Sequence, residues 1–301
     1  MRIRLLTLIL AAIGLHSCYT GVEVTPRITD KQVSREIGTP SAESKLIGSV
    51  EGEPPSAWQK GKVFTLAEGK VNVAYLPASV SETLEPGDTL LFESMNPAVT
   101  LTGAEMTDIS FRTPEGRTVT HRMESPPGTL RESTSAVLPF LVEATVVDSV
   151  SSVLTGRTLW TLTMQRYTLD GEPTQGRKFQ KVKVTGVRAG KGKYPIEVLI
   201  GNDEMLYLSV EPKSHNTRRF SNLFTLTDPR KNYRNITDKN WELITRGKIA
   251  EGMTMEECRL ALGAPKEIDR DATYEALIER WTYENGIYLF FSDGILTRFR
   301  R

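Results

Sequence analysis

Cys258 and the histidines are the residues of this chain best equipped for chemistry. Cys258 sits in GMTMEECRLALGAP, Gly252 to Pro265. A reactive thiolate needs a cationic neighbour, a helix N-terminus and access to solvent. Cys258 is near a helix start, but Glu256 and Glu257 precede it and no histidine follows His215. Met255, Cys258, Ala261 and Leu262 share one face at helical spacing, so the pattern predicts a buried small hydrophobe. His121 and His215 are 94 positions apart in different parts of the chain, which disfavours a multi-histidine metal site and leaves two surface histidines as the expectation. The motifs G-x-S-x-G, H-E-x-x-H and C-x-x-C are absent. Asp203-Glu204 would serve glycoside hydrolysis only with another carboxylate facing them at ~5–10 Å. The stretch GKGK, Gly190 to Lys193, lacks the Ser or Thr and the strand-loop-helix setting of a phosphate loop. We therefore expect no enzyme, no metal and no cofactor.

Cys18 belongs to different chemistry. MRIRLLTLILAAIGLHSC begins with Arg2 and Arg4 and continues with an apolar run from Leu5 to Leu15. That run is too short for a membrane-spanning helix, which takes roughly 20 residues, and suits a secretory signal. LHSC, with Leu15, Ser17 and Cys18, resembles the lipobox of bacterial lipoproteins. The resemblance implies cleavage after residue 17 and a diacylglycerol on Cys18; an ordinary signal peptide with an accidental cysteine is the other reading. Removal of residues 1–17 leaves 36 Lys and Arg against 37 Asp and Glu, with Cys258 as the one unmodified cysteine. No intramolecular disulfide is then available. The near-neutral balance gives no electrostatic reason to expect nucleic acid. The expected partners are a membrane, through the lipid on Cys18, and another envelope protein or a glycan.

Hydrophobic residues make up 39% of the 301, with no low-complexity tract, so a folded chain of two or three domains is expected. The expected class is α+β, mostly β. After the signal (1–17), residues 18–55 are polar, broken by Pro26, Pro40, Pro54 and Pro55, and read as a tether with room for one short helix. Residues 56–130 and 131–212 are dense in Val, Thr, Phe and Tyr with frequent turns, which predicts one or two small barrel or sandwich modules. Residues 213–235 form a basic linker: between Lys213 and Arg234 six Lys or Arg accompany one acid, Asp228. Trp58, after EPPSA, and Trp160, inside TLWTL, are aromatics that could stack on sugars, with core packing the stronger expectation for Trp160.

Residues 236–301 are the most legible. ITDKNWELITRG predicts a short helix capped by Thr237 or Asp238. Thr254 and Glu257 form a capping box for a second helix, which Gly263 and Pro265 end. Asn285-Gly286 and Asp293-Gly294 separate aromatic-rich runs and predict type I′ hairpins joining three strands, Leu277–Tyr283, Ile287–Phe291 and Ile295–Arg300. The resulting ααβββ module is short for a free-standing core, so it should dock on the β-rich region. Gly252, Met253, Thr254, Glu257, Leu262, Gly263, Pro265, Trp281, Tyr283, Phe291, Gly294 and Leu296 together resemble the SmpA/OmlA (BamE-like) family. The resemblance implies a helix pair on a three-stranded sheet and a non-catalytic role in protein contact at the outer membrane. Arg298, Arg300 and Arg301 alternate on the last strand, either as charge that protects an edge or as a surface for a partner strand or an acidic protein. The function read here is that of an envelope lipoprotein acting as a protein-binding adaptor in outer-membrane assembly or maintenance. A glycan-binding lipoprotein is the alternative.

Overall fold

The computed structural model describes residues 41–300 apart from 68–73, 82, 135, 137, 191–195, 202, 211–217 and 273–275. The fold is mixed and mostly β, with three antiparallel sheets and three apolar cores. The helices are α1 (Ala42–Ile47), α2 (Ala78–Ser81), α3 (Pro127–Glu132), α4 (Ala144–Leu154), α5 (Phe220–Leu223), α6 (Asp238–Thr245) and α7 (Met255–Leu262). The first sheet contains β1 (Val63–Leu66), β2 (Tyr75–Leu76), β3 (Thr89–Val99), β4 (Glu105–Arg112), β5 (Thr118–Met123) and β6 (Leu141–Glu143), in the order β2-β5-β4-β3-β1-β6. The second contains β7 (Thr158–Thr161), β8 (Gln165–Thr168), β9 (Pro173–Gln175), β10 (Lys181–Ala189), β11 (Ile196–Ile200), β12 (Glu204–Leu208) and β13 (Phe224–Thr225), in the order β13-β7-β10-β11-β12-β8-β9. The third is β14 (Glu267–Ala272), β15 (Leu277–Thr282), β16 (Tyr288–Ser292) and β17 (Ile295–Arg300), in chain order.

The modules are not strung linearly. Ile47 and Val50, beside α1, share a core with Val146, Val150 and Leu154 of α4 and with Val184, Val198 and Leu206 of the second sheet. The polar tether expected through residue 55 therefore stops short of Ser41, and the first sheet is an insertion between α1 and α4. A single carboxylate closes its neck. Glu143, nearly buried, accepts from the Glu53 amide at 3.0 Å and lies 2.8 Å from Lys62 Nζ, which also reaches Glu53 at 2.7 Å. Gly52 lies close against it, since a Cβ there would stand 2.5 Å from Glu143 Oε1 and displace the carboxylate.

Residues 144–154 were grouped with the second β block for their Val and Thr content, yet they form α4. Val146, Val150 and Leu154 recur every four residues, which places them on one helix face, and all three are buried. The basic linker is likewise part of the core: Phe220, Leu223 and Phe224 are buried in the second module. Arg230 donates to the Tyr233 and Ile236 carbonyls and stacks on Trp241 at 4.9 Å.

At the C-terminus the two helices form as the caps require. Thr237 accepts from the Asn240 amide. Thr254 Oγ1 accepts from the Glu257 amide at 3.2 Å while Glu257 accepts from the Thr254 amide at 2.7 Å. Asn240 donates to the other Glu257 oxygen at 2.8 Å, which ties α6 to α7. The sheet has four strands, not three. EIDRDA, poor in β-formers, becomes β14 because it pairs residue for residue with β15. Asp293 and Gly294 both take positive φ, 47° and 82°, as a type I′ turn demands. At Asn285-Gly286 only Gly286 does, at 77°, and Tyr283 donates to the Ile287 carbonyl across a three-residue loop.

Docking of this module on the second sheet rests on three consecutive residues. Arg177 makes two 3.0 Å bonds to Glu242, Lys178 Nζ donates to the Leu260 and Ala261 carbonyls at 3.2 and 2.7 Å, and Phe179 stacks on Trp241 at 5.2 Å. Behind them the fully buried Arg166 donates to Thr161 Oγ1 and the Arg177 carbonyl, with Glu204 at 3.6 Å. Burial lowers the Arg166 pKa and the Glu204 charge opposes that shift.

Candidate partner-binding face

Alternation along β15, β16 and β17 divides the third sheet into two unlike faces. Trp281, Leu289, Phe291 and Leu296 point inward against Ile244, Cys258 and Ala261. The Trp281 indole donates to Glu279 at 2.9 Å, and Arg270 pairs with the same carboxylate at 3.0 Å. The outer face carries Glu267, Asp269 and Asp271 on β14, then Ile278, Arg280 and Thr282 on β15. Tyr288, Phe290 and Ser292 follow on β16, and Arg298 and Arg300 on β17.

The register sets these residues in rows across the strands. One row reads Asp269, Arg280, Phe290, Arg298; the next reads Glu267, Thr282, Tyr288, Arg300. Arg280 Nε donates to Asp269 at 3.0 Å, which raises the guanidinium pKa further. Arg298 lies over the Phe290 ring at 4.3 Å. Such an exposed pair is worth about 0.5–1 kcal/mol, so it orients the arginine without anchoring the fold. Tyr288 is 37% exposed. The face thus runs from carboxylates at one edge, over aromatics, to guanidiniums at the other.

The residues expected to act fall in different places. Arg298 and Arg300 lie on this face; Cys18, Arg301 and His215 lie outside the described residues. Trp58 is not available to a sugar. It is 6% exposed, packs edge-on against Phe64 and Phe92 at 5.2 and 5.5 Å, and donates its indole N–H to the Glu53 carbonyl at 2.9 Å. The Pro54-Pro55 turn, read as a sign of exposure, folds the ring into the first core. Trp160 is half-buried on the side of β7 opposite Leu159 and Thr161, so it is not the core residue expected. The β17 edge is only half open. Gly252 donates to the Leu296 carbonyl, Leu296 donates to Met253, and Met255 donates to Gly294, so these bonds cover the edge at residues 294–296.

Sequence reading missed Arg280, Tyr288 and Phe290 as one surface with the β14 acids, since β14 itself was missed. The signal present was Tyr288 and Phe290 on the same side of their strand as Arg298 and Arg300. Cys258 is fully buried, and burial, reinforced by the Glu257 charge, pushes its thiol up to about 12. His121 places Nδ1 2.9 Å from the Ala74 carbonyl on a half-buried strand. Glu204 faces the Arg166 cation, not a second carboxylate. Among the described residues no three His, Cys, Asp or Glu side chains group as metal ligands. Comparison with known proteins found no matching family model, curated protein or solved structure.

Proposed function

We propose that this chain is a lipid-anchored, protein-binding component of the bacterial cell envelope. Cys18 carries the anchor, and the outer face of the third sheet receives another envelope protein, in outer-membrane assembly or maintenance. The observation that carries the binding reading is that face: aromatic rings and oriented guanidiniums left outside every core, on a sheet whose other face packs Trp281, Leu289, Phe291 and Leu296 into the third core. Exposed aromatic and arginine residues grouped together are the usual anchors of protein interfaces. The similarity of residues 236–301 to the SmpA/OmlA family supports the same reading, with β14 as an addition to the helix pair and three strands that the family implies. The anchor rests on the lipobox-like LHSC. No helix of the described residues is long and apolar enough to cross a membrane. The glycan alternative loses Trp58, the aromatic it leaned on most.

The test is a photo-reactive phenylalanine in place of Tyr288, activated in cells, with the same probe at the exposed Leu101 of the first sheet as control. A discrete protein adduct from position 288 alone is the expected result; adducts from both positions, or none, would overturn the reading. Cys18→Ala is expected to release the protein from the membrane fraction.

A further inference from the structure

The charge on the outer face is arranged for a particular occupant. Acids line one edge strand and arginines the other, while the two central strands carry Ile278, Thr282, Tyr288 and Phe290 with Arg280 among them. A partner of one sign would meet attraction at one edge and repulsion at the other. The complement of this face is a surface graded in the opposite direction, and turning the face over produces that gradient.

Resting on the reading of this face as a binding surface, we propose that its occupant is a second copy of the chain, stacked face to face about a two-fold axis parallel to the strands and midway between β15 and β16. That operation sets β14 of each copy over β17 of the other and keeps each row over itself. Glu267 then meets Arg300, and Asp269 meets Arg298, each contact occurring twice, as a closed two-fold interface requires. Phe290 comes over Arg280 of the second copy, exchanging a ring face for a guanidinium. The alternative two-fold, perpendicular to the strands, would set acids over acids and is disfavoured by like charge.

The size of the face fixes the strength of the association. Four strands at ~4.8 Å and five residues at ~3.4 Å cover ~330 Å² a side, or ~650 Å² in all. Stable complexes bury about 1,200 Å² or more, so this contact is transient. It is also salt-sensitive, since charge pairs at the rim screen readily. Confinement of both copies to one membrane raises their effective concentration and favours the contact without adding to it.

Two charge reversals test the geometry in the full-length chain. R298E/R300E makes both edges acidic; E267K/D271K turns the acidic edge net basic and sets a lysine against Arg300 while sparing the Asp269–Arg280 pair. With the photo-probe at position 288 and two epitope tags, the wild type is expected to yield an adduct of twice the mass of the chain from Cys18 onward, bearing both tags. Each variant alone is expected to lose that adduct at least ~10-fold, about 1.4 kcal/mol or more. Co-expression of the two variants should restore it, because each supplies the edge the other lacks; misfolding of either would forbid that recovery. A doubled-mass adduct insensitive to both reversals, or not restored by mixing, would overturn the proposed stacking. A discrete adduct of any other mass would overturn self-association and leave the binding face standing, and the absence of any adduct would remove both.

Discussion

In the seven-stranded sheet the central strand β11 is buried on both sides. Ile196, Val198 and Ile200 pack in the core with α4, and Glu197 on the other side is 1% exposed and paired with Arg188. In the four-stranded sheet β16 is buried on one side only: Leu289 and Phe291 are packed, while Tyr288 and Phe290 face outward, outside every core of the described residues. Both strands alternate regularly, but the side of β11 away from the core still buries Glu197, whereas the side of β16 away from the core exposes Tyr288. Aromatic residues on such an outer face add little to the stability of the sheet.

The largest test of this contrast is on the packed faces, where the two sheets should behave alike. Trp281→Ala is expected to cost about 3–5 kcal/mol, and Leu206→Ala in β12 about 2–5 kcal/mol. Segment-resolved hydrogen exchange should show each loss confined to its own sheet. The joint between the sheets comes next. Lys178→Met removes two charge-assisted bonds to the end of α7 and should cost about 1–3 kcal/mol, read as faster exchange in α6 and α7 with residues 89–123 unchanged. Alkali should then separate the sheets without mutation. Burial pushes Cys258 from 9.0, and Tyr283 from 10.0, up to about 12 in both cases. The unfolded chain loses these protons first, so the C-terminal sheet keeps its full stability below pH 9 and loses it as pH rises toward 12. Urea midpoints for this sheet should fall across that window, less steeply in Cys258→Ala. The smallest effect on stability belongs to the open face. Phe290→Ser should cost under about 1 kcal/mol by the same exchange measurement while abolishing the adduct from position 288. A stability loss as large as that of Trp281→Ala would show the outer face to be covered.

How much was legible follows from the range of the forces involved. The caps at Thr237 and Thr254 and the Asp293-Gly294 turn are decided within four residues, and the sequence shows them. Strand β14 is decided elsewhere: Glu, Asp and Arg disfavour an isolated strand, and EIDRDA extends because Asp269 meets Arg280 and Arg270 meets Glu279 once β15 is in place. The insertion of the first sheet is longer-ranged still, since Ile47 and Val150 share one core across a hundred residues of intervening chain. Trp58 shows the converse error, a local Pro-Pro signal of exposure overridden by Phe64 and Phe92. On the candidate face, Arg298 and Arg300 could be named from their alternation, whereas the opposing acids could not be placed before their strand existed.

The neck closed by Glu143 has a mechanical consequence. Tension applied between Ser41 and the β17 face runs through α1, the second core and the Arg177–Phe179 contact with α6 and α7. The first sheet, leaving and rejoining that path at Glu53 and Glu143, carries none of the load. Such a pull would strain the joint at Lys178 while the inserted sheet stayed slack.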